Sequence, residues 1–349
     1  MKAAVWYGQK DVRVVDVPEP KVAAGTVKIK VTYCGICGSD LHEYLKGPVI
    51  IPSKPHPLTG KMPPVTLGHE FCGPIVEVGE GIKNFKTGDR VTVDACLVCH
   101  ECHWCKKAQY NLCAKLGSTG LCADGAFAEY VVVPAYTCYK LPQEMSDEAG
   151  AFVEPLAVAT HAVKRGKIVP GDVVAIVGGG PIGLLVMQVA KASGASKVFV
   201  IEPMESRKKL AAELGATKVY DPAQGDVGKM IHEDTNGLRA DLVFECVGKA
   251  ETVDSAIKLS GKGARIVIVG IFSAPAQFHF ARMQAHEKEL IGSSAYPNEF
   301  PAAISFLADG RVNIKPLITG RIKLSEIIDK GFNELISHPE KNIKILVSM

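Results

Sequence analysis

Val173-Val-Ala-Ile-Val-Gly178-Gly-Gly180-Pro-Ile-Gly183-Leu-Leu-Val-Met-Gln-Val-Ala190 is a run of eighteen residues without a charge. Its length meets the crude minimum for a membrane span. However, three glycines and a proline stand at its centre, where a spanning helix would break. A buried strand, Val173–Val177, a tight turn and an apolar helix over 184–192 account for it better. The pattern then repeats: an apolar run at Lys197–Ile201, helical spacing over 206–214, and further apolar runs at 241–245 and 265–269. Strands alternating with helices predict a doubly wound parallel sheet, the Rossmann arrangement.

Within that frame Gly178-Gly-Gly180-Pro-Ile-Gly183 fits G-x-G-x-x-G between a strand and a helix. Gly178 permits the turn, Gly180 lets backbone N–H groups approach a pyrophosphate, and Gly183 lets helix and sheet pack closely. Glu202 closes the next strand twenty-four positions after Gly178. Its carboxylate would accept hydrogen bonds from the adenosine ribose and repel a 2′-phosphate, so NAD is expected over NADP. Arg207 lies close enough in sequence to serve a phosphate instead. Val269, at the end of a later strand, is taken as a further cofactor-binding position.

Outward from the sheet the texture changes. Before about residue 150, short alternating segments at 27–31, 74–78, 89–93 and 129–133 are divided by Gly and Pro, predicting an antiparallel, barrel-like domain. Six prolines between 43 and 67 demand a long loop. After about residue 296 short mixed elements return and end in a strand at 343–347, which could rejoin the first domain. The expected domains are therefore 1–153 with 296–349, and 154–295.

The 349 residues are 47% hydrophobic and 22% charged, a soluble globular composition that suits about two domains. A net charge of +3 without a basic tract gives nucleic acid little electrostatic footing. The first residues reach Asp11 and Arg13 without an apolar core, so no signal peptide is read, no membrane association is expected, and a cytoplasmic location is.

In a reducing compartment, cysteines in number suggest metal or catalysis before disulfides. Five of the eleven, Cys96, Cys99, Cys102, Cys105 and Cys113, crowd into eighteen residues. Four thiolates at such spacing suit a closed structural zinc site that leaves no room for substrate. Since Cys96 also makes C-x2-C with Cys99, spacing alone leaves the register open by one ligand. His100 and His103 read as exposed bystanders. Cys72, Cys122, Cys138 and Cys246 lie singly and read as small buried hydrophobes.

A third constellation is Cys34-Gly-Ile-Cys37-Gly-Ser39-Asp40-Leu-His42, with Gly68-His69-Glu70 and Val153-Glu154-Pro155. Separated Cys, His and carboxylate groups suit an open catalytic zinc site. Cys34-x2-Cys37 does not follow a thioredoxin-like βαβ pattern, so a redox pair is not read, and on spacing alone ordinary loop chemistry competes with the zinc site.

The order of these motifs, from the Cys-Gly-Ile-Cys-Gly-Ser-Asp run through Gly-His-Glu, the four-cysteine lobe and Val-Glu-Pro to the glycine turn, resembles the zinc-dependent medium-chain dehydrogenases over essentially the whole chain. That resemblance implies a GroES-like catalytic domain beside the Rossmann domain, and an NAD-dependent interconversion of a secondary alcohol and a ketone. It implies catalytic zinc on Cys37, His69 and a carboxylate, either Glu70 or Glu154, with Cys34 excluded. It assigns the structural zinc to Cys99, Cys102, Cys105 and Cys113, leaving Cys96 outside. Ser39 would take the alcohol proton and pass it through the nicotinamide ribose to His42, while Ile182 would back the nicotinamide. A small diol or hydroxyketone is the expected substrate, with no nucleic-acid partner and a homodimer or homotetramer as the assembly.

Overall fold

The computed structural model describes residues 1–349. By contacts the chain divides into two units. One comprises 1–154, 300–308 and 317–349, and the other comprises 155–299 and 309–316. The first division falls inside the helix Asp147–Arg165, at Glu154-Pro155. Proline offers no N–H to the helix ladder there.

In the second unit the apolar runs form a six-stranded, all-parallel sheet. Its order is Lys218–Tyr220, Lys197–Ile201, Val173–Val177, Ala240–Glu245, Ser260–Ile268, Glu289–Gly292. The strand order reverses beside Val173–Val177, and such switch points are where open α/β sheets hold dinucleotides. Val174, Ala175 and Ile176 are fully buried, as expected for a central strand covered on both faces. The uncharged run is thus a strand, a turn and the helix Pro181–Ala192. No helix of the chain is long and apolar enough to cross a membrane. The strand Ser260–Ile268 carries an irregularity: Ala240 pairs with Ser260 but Leu242 with Arg265, so residues 261–264 loop out of register.

The first unit is built on an eight-stranded sheet. Its main path runs Tyr130–Pro134, Thr26–Lys30, Glu70–Val78, Tyr33–Gly35, Lys344–Ser348, Ile318–Lys323. Every pairing is antiparallel except the last, so the late segment does return to the first unit, through Leu346, Val347 and Ser348 against Gly35, Cys34 and Tyr33. The main core of this unit has Ile29, Phe71, Ile75, Phe127 and Phe332 at or near zero exposure, and a smaller cluster gathers around Ala3, Val5 and Ala128. The proline-rich segment is pinned where it leaves the helix Gly38–Lys46. The buried Glu43 carboxylate accepts the backbone N–H groups of Val49, Ile50 and Ile51. Further along, the His56 ring bonds the Leu116 carbonyl at 3.1 Å.

Candidate active site

Pairing of Tyr33–Gly35 with Glu70–Val78 sets Gly35 opposite Glu70 and brings two distant motifs together. Just past Gly35, Cys37 caps the helix Gly38–Lys46, its N–H donating to Asp40 Oδ2 at 2.9 Å. As a result the Cys37 thiol, a His69 ring nitrogen and a Glu70 oxygen lie within 4.8 Å of one another. Sulfur, imidazole and carboxylate together form a donor set that zinc takes.

His69 and Glu70 are buried, Cys37 half-buried, and their neighbours crowd closely. Ser39 Oγ lies 3.3 Å from His69 Nε2, and Asp40 Oδ1 lies 3.6 Å from His69 Nδ1, an ion-pair rather than a hydrogen-bond distance. Burial raises the Asp40 carboxyl to about 6, the charge of His69 opposing it. Burial would lower the His69 pKa, but the charges of Asp40 and Cys37 outweigh it and hold it well above the ordinary range. Asp40 is the buried carboxylate whose charge faces His69, a neighbour not read from the sequence although Asp40 stands in the quoted motif.

The two carboxylates differ in company. Glu70 accepts Lys344 Nζ on both oxygens, at 2.8 and 2.7 Å, and both residues are almost fully buried. Lys344 also donates to the Ile36 carbonyl at 3.0 Å. Glu154 is buried too and acts through its charge on His69 and Lys344, but stands outside the 4.8 Å group. Cys34 is fully buried and outside that group as well, with burial raising its thiol pKa well above the usual range. His42, half-buried, follows Ser39 by three residues on the same helix and so shares its face.

The sulfurs of Cys99, Cys102, Cys105 and Cys113 also converge within 4.8 Å. Individual separations are 3.6 Å for Cys102 to Cys105, 3.5 Å for Cys113 to Cys99 and 4.0 Å for Cys99 to Cys105. A tetrahedron with zinc–sulfur bonds of about 2.3 Å has edges of roughly 3.8 Å, so the cage is the right size. Backbone N–H groups of Ala114 and Cys105 pull the Cys102 thiol down to about 6, toward the thiolate that a metal needs. Cys96 lies in the short strand before the lobe and outside the cage. His100 and His103 are exposed and supply no ligand atom.

In the second unit, Gly178 has φ 103°, and a Cβ on Gly183 would stand 1.9 Å from the Gly178 carbonyl oxygen. Close packing is therefore between helix and turn more than helix and sheet. Above Gly180 there is open space: the nearest atom to a Cβ built there is an Arg207 guanidinium nitrogen at 3.7 Å. Glu202 closes the adjacent strand, 3% exposed, accepting the N–H of Gly179 at 2.7 Å and of Met204 at 2.9 Å. Ile182 is half-buried at the start of the helix, and Val269, just past the strand Ser260–Ile268, is half-buried too. A turn open at Gly180 and edged by a carboxylate fits the pyrophosphate and ribose of NAD.

Two family models match the chain: an alcohol dehydrogenase GroES-like domain over 23–143 and a zinc-binding dehydrogenase over 181–309. The chain is 44% identical to the (R,R)-butanediol dehydrogenase of Bacillus subtilis over 99% of both sequences. It is 37% identical to a sorbitol dehydrogenase of Halalkalibacterium halodurans over 100% of this chain and 99% of that one. A crystal structure of 2R,3R-butanediol dehydrogenase from Bacillus subtilis superposes with a TM-score of 0.94 at 43% identity, covering 100% of this chain and 99% of the other.

Proposed function

Because this chain belongs to the zinc-dependent medium-chain dehydrogenases, and is a zinc- and NAD-dependent oxidoreductase related to butanediol and polyol dehydrogenases, we propose that it interconverts (R,R)-2,3-butanediol and acetoin. The observation that carries this reading is the likeness to (R,R)-butanediol dehydrogenase along nearly the full length. The converging sulfur, imidazole and carboxylate in the first unit support the chemistry. We place the enzyme in the cytoplasm as a homodimer or homotetramer.

In this reading Cys37, His69 and one carboxylate hold the catalytic zinc, and Cys99, Cys102, Cys105 and Cys113 hold the structural one. Glu70 is the carboxylate that converges with Cys37 and His69, but Lys344 engages both of its oxygens, so we assign the ligand to Glu154, which would have to move in from outside that group. Zinc supplies a Lewis acid toward an alcohol oxygen, and NAD the hydride acceptor. Asp40 sets a negative charge beside the His69 ring, and Lys344 balances the buried charge of Glu70. Ser39 receives the proton of the substrate hydroxyl and gives up its own through the nicotinamide ribose to His42, one turn on, which delivers it toward water. Gly178, Gly180 and Gly183 shape the turn for the pyrophosphate, Ile182 and Val269 bound the nicotinamide side, and Glu202 selects the unphosphorylated ribose.

Rates with NAD on the stereoisomers of 2,3-butanediol, acetoin, sorbitol and threonine test the proposal. The highest kcat/KM is expected on (R,R)-2,3-butanediol and, in reverse, acetoin. A preference for sorbitol would instead favour the second reading, which the likeness to a sorbitol dehydrogenase supports.

A further inference from the structure

At the amino ends of three neighbouring strands of the parallel sheet, which begin at Ala240, Ser260 and Glu289, lies a cavity of about 650 Å³. Gly178 and Glu202 follow the carboxyl ends of their strands, so this cavity lies at the opposite edge of the sheet from the glycine turn. Its lining carries five cations, Arg239, Lys258, Lys262, Arg282 and Lys288, against one carboxylate, Asp241. Part of this charge is already answered. Lys258 pairs with Asp254 at 2.6 Å, and Asp241 accepts the Val173 N–H at 2.8 Å. The other four cations have no carboxylate partner. Lys288 Nζ donates to the carbonyls of Ile257 and Ser260, each at 2.8 Å, and to Ser260 Oγ at 2.9 Å. Arg239 reaches the carbonyls of Gly228 and Lys258. Neutral acceptors order these side chains but leave their positive charges uncancelled.

Convergence of like charge is unfavourable, and the protein shows the strain at Lys288. Burial, with Arg239 and Arg282 adding repulsion, lowers its pKa to about 8. The looped-out residues 261–264 add to the arrangement. They break the register of Ser260–Ile268 and present Lys262 at the rim between Gly261 and Gly263. The Gly263 N–H donates to the His286 carbonyl, tying that loop to the segment that bears Arg282 and Lys288. Two ordered cations and two exposed ones thus face a single cavity of ligand size.

We propose that this cavity binds a small polyphosphate anion, a di- or triphosphate group, through hydrogen bonds from Arg239, Lys262 and Arg282, with Lys288, whose three N–H groups are already engaged, contributing charge alone. Four cations call for more than a monovalent carboxylate, and phosphate oxygens accept charge-assisted hydrogen bonds from arginine and lysine alike. The site is separate from the dinucleotide turn and does not depend on which alcohol is the substrate.

Calorimetric titration of the zinc-loaded enzyme, with NAD present at saturation to fill the dinucleotide site, tests it with inorganic tripolyphosphate as probe. Saturable binding is expected at low salt. In K262E/R282E affinity should fall at least about tenfold, and in K262Q/R282Q by less. The reversal K83E/K86E, at exposed lysines of the other unit, should leave affinity within about twofold once screening is matched. Zinc capture by the probe would persist in K262E/R282E, and binding equal to wild type there overturns the proposal. So do an equal loss in K83E/K86E and no saturable binding at all. A parallel titration with ATP separates sources: tighter binding than tripolyphosphate marks a nucleotide, and equal binding marks the phosphate chain alone.

Discussion

Glu70 and Lys344 share an ion pair with almost no solvent around it. Breaking such a pair from one side strands a buried charge, at a cost of about 3–5 kcal/mol. Lys344→Met is therefore expected to destabilise the first unit by that much in urea unfolding, and E70Q/K344M to recover part of the loss. Equal stability of the single and double variants would show that packing, not charge, is at stake. Of this pair the sequence announces only Glu70, through Gly-His-Glu. Lys344 sits 274 positions away inside an alternating strand pattern, where lysine reads as a solvent-facing residue. Nothing local distinguishes a lysine buried on a carboxylate from one in water. Glu154 and Glu70 divide on the same ground: Glu154→Ala should cost more catalytic-zinc affinity than Glu70→Ala, and a metal titration with the reverse order would move the ligand to Glu70. For the cofactor, Glu202 is already fixed by two backbone N–H groups. Its charge should favour NAD over NADP by roughly 30- to 150-fold in kcat/KM, or about 2–3 kcal/mol after screening. Glu202→Ala should narrow that gap, with Arg207 beside Gly180 as the nearest cation to a phosphate, and should also weaken NAD because Gly179 loses its acceptor. Native use of both cofactors at similar kcat/KM would remove Glu202 from the ribose.

Among elements, the helix His103–Lys106 spans four residues, too few to hold itself by backbone hydrogen bonds. Four converging thiols around it carry the lobe instead. Two zincs per chain are expected, the closed cage losing its metal slowly and the Cys37 site quickly. Brief chelation should therefore abolish turnover while the lobe stays folded, and metal analysis finding one zinc or none in fully active enzyme would contradict the arrangement. In the glycine turn, Gly183→Ala drives a methyl into the Gly178 carbonyl, so NAD affinity should fall at least about tenfold by fluorescence titration, with little change in zinc content. Long apolar strands and their helices were readable because burial on both faces writes itself as an uninterrupted run, as at Val173–Val177. Tyr33–Gly35, three residues long, left no such trace. It decides where Cys37 goes, but pairing between segments dozens of residues apart has no local signature.

Across the molecule, the proposed zinc ligands and the glycine turn belong to different units. Cys37→Ser and His69→Ala should each abolish turnover while NAD affinity stays within about twofold, as independent sites behave. A parallel loss of NAD binding would tie the two sites together energetically. The change of texture near residue 150 was visible because a continuous sheet and a barrel spell their strands differently. The late return of the chain was suggested only by one terminal strand pattern, and Asp309–Pro316, grouped by contacts with the second unit, carries no signal of its own. That return has a consequence for how the protein is made. Lys344–Ser348 completes the sheet beside Tyr33–Gly35, yet a ribosome reaches it only after the entire second unit. At roughly 5–20 residues per second, the nascent first unit waits about 15–60 seconds with that sheet edge open and Glu70 without its cation. During synthesis, then, the strand that closes the first unit's sheet emerges only after every residue of the second unit.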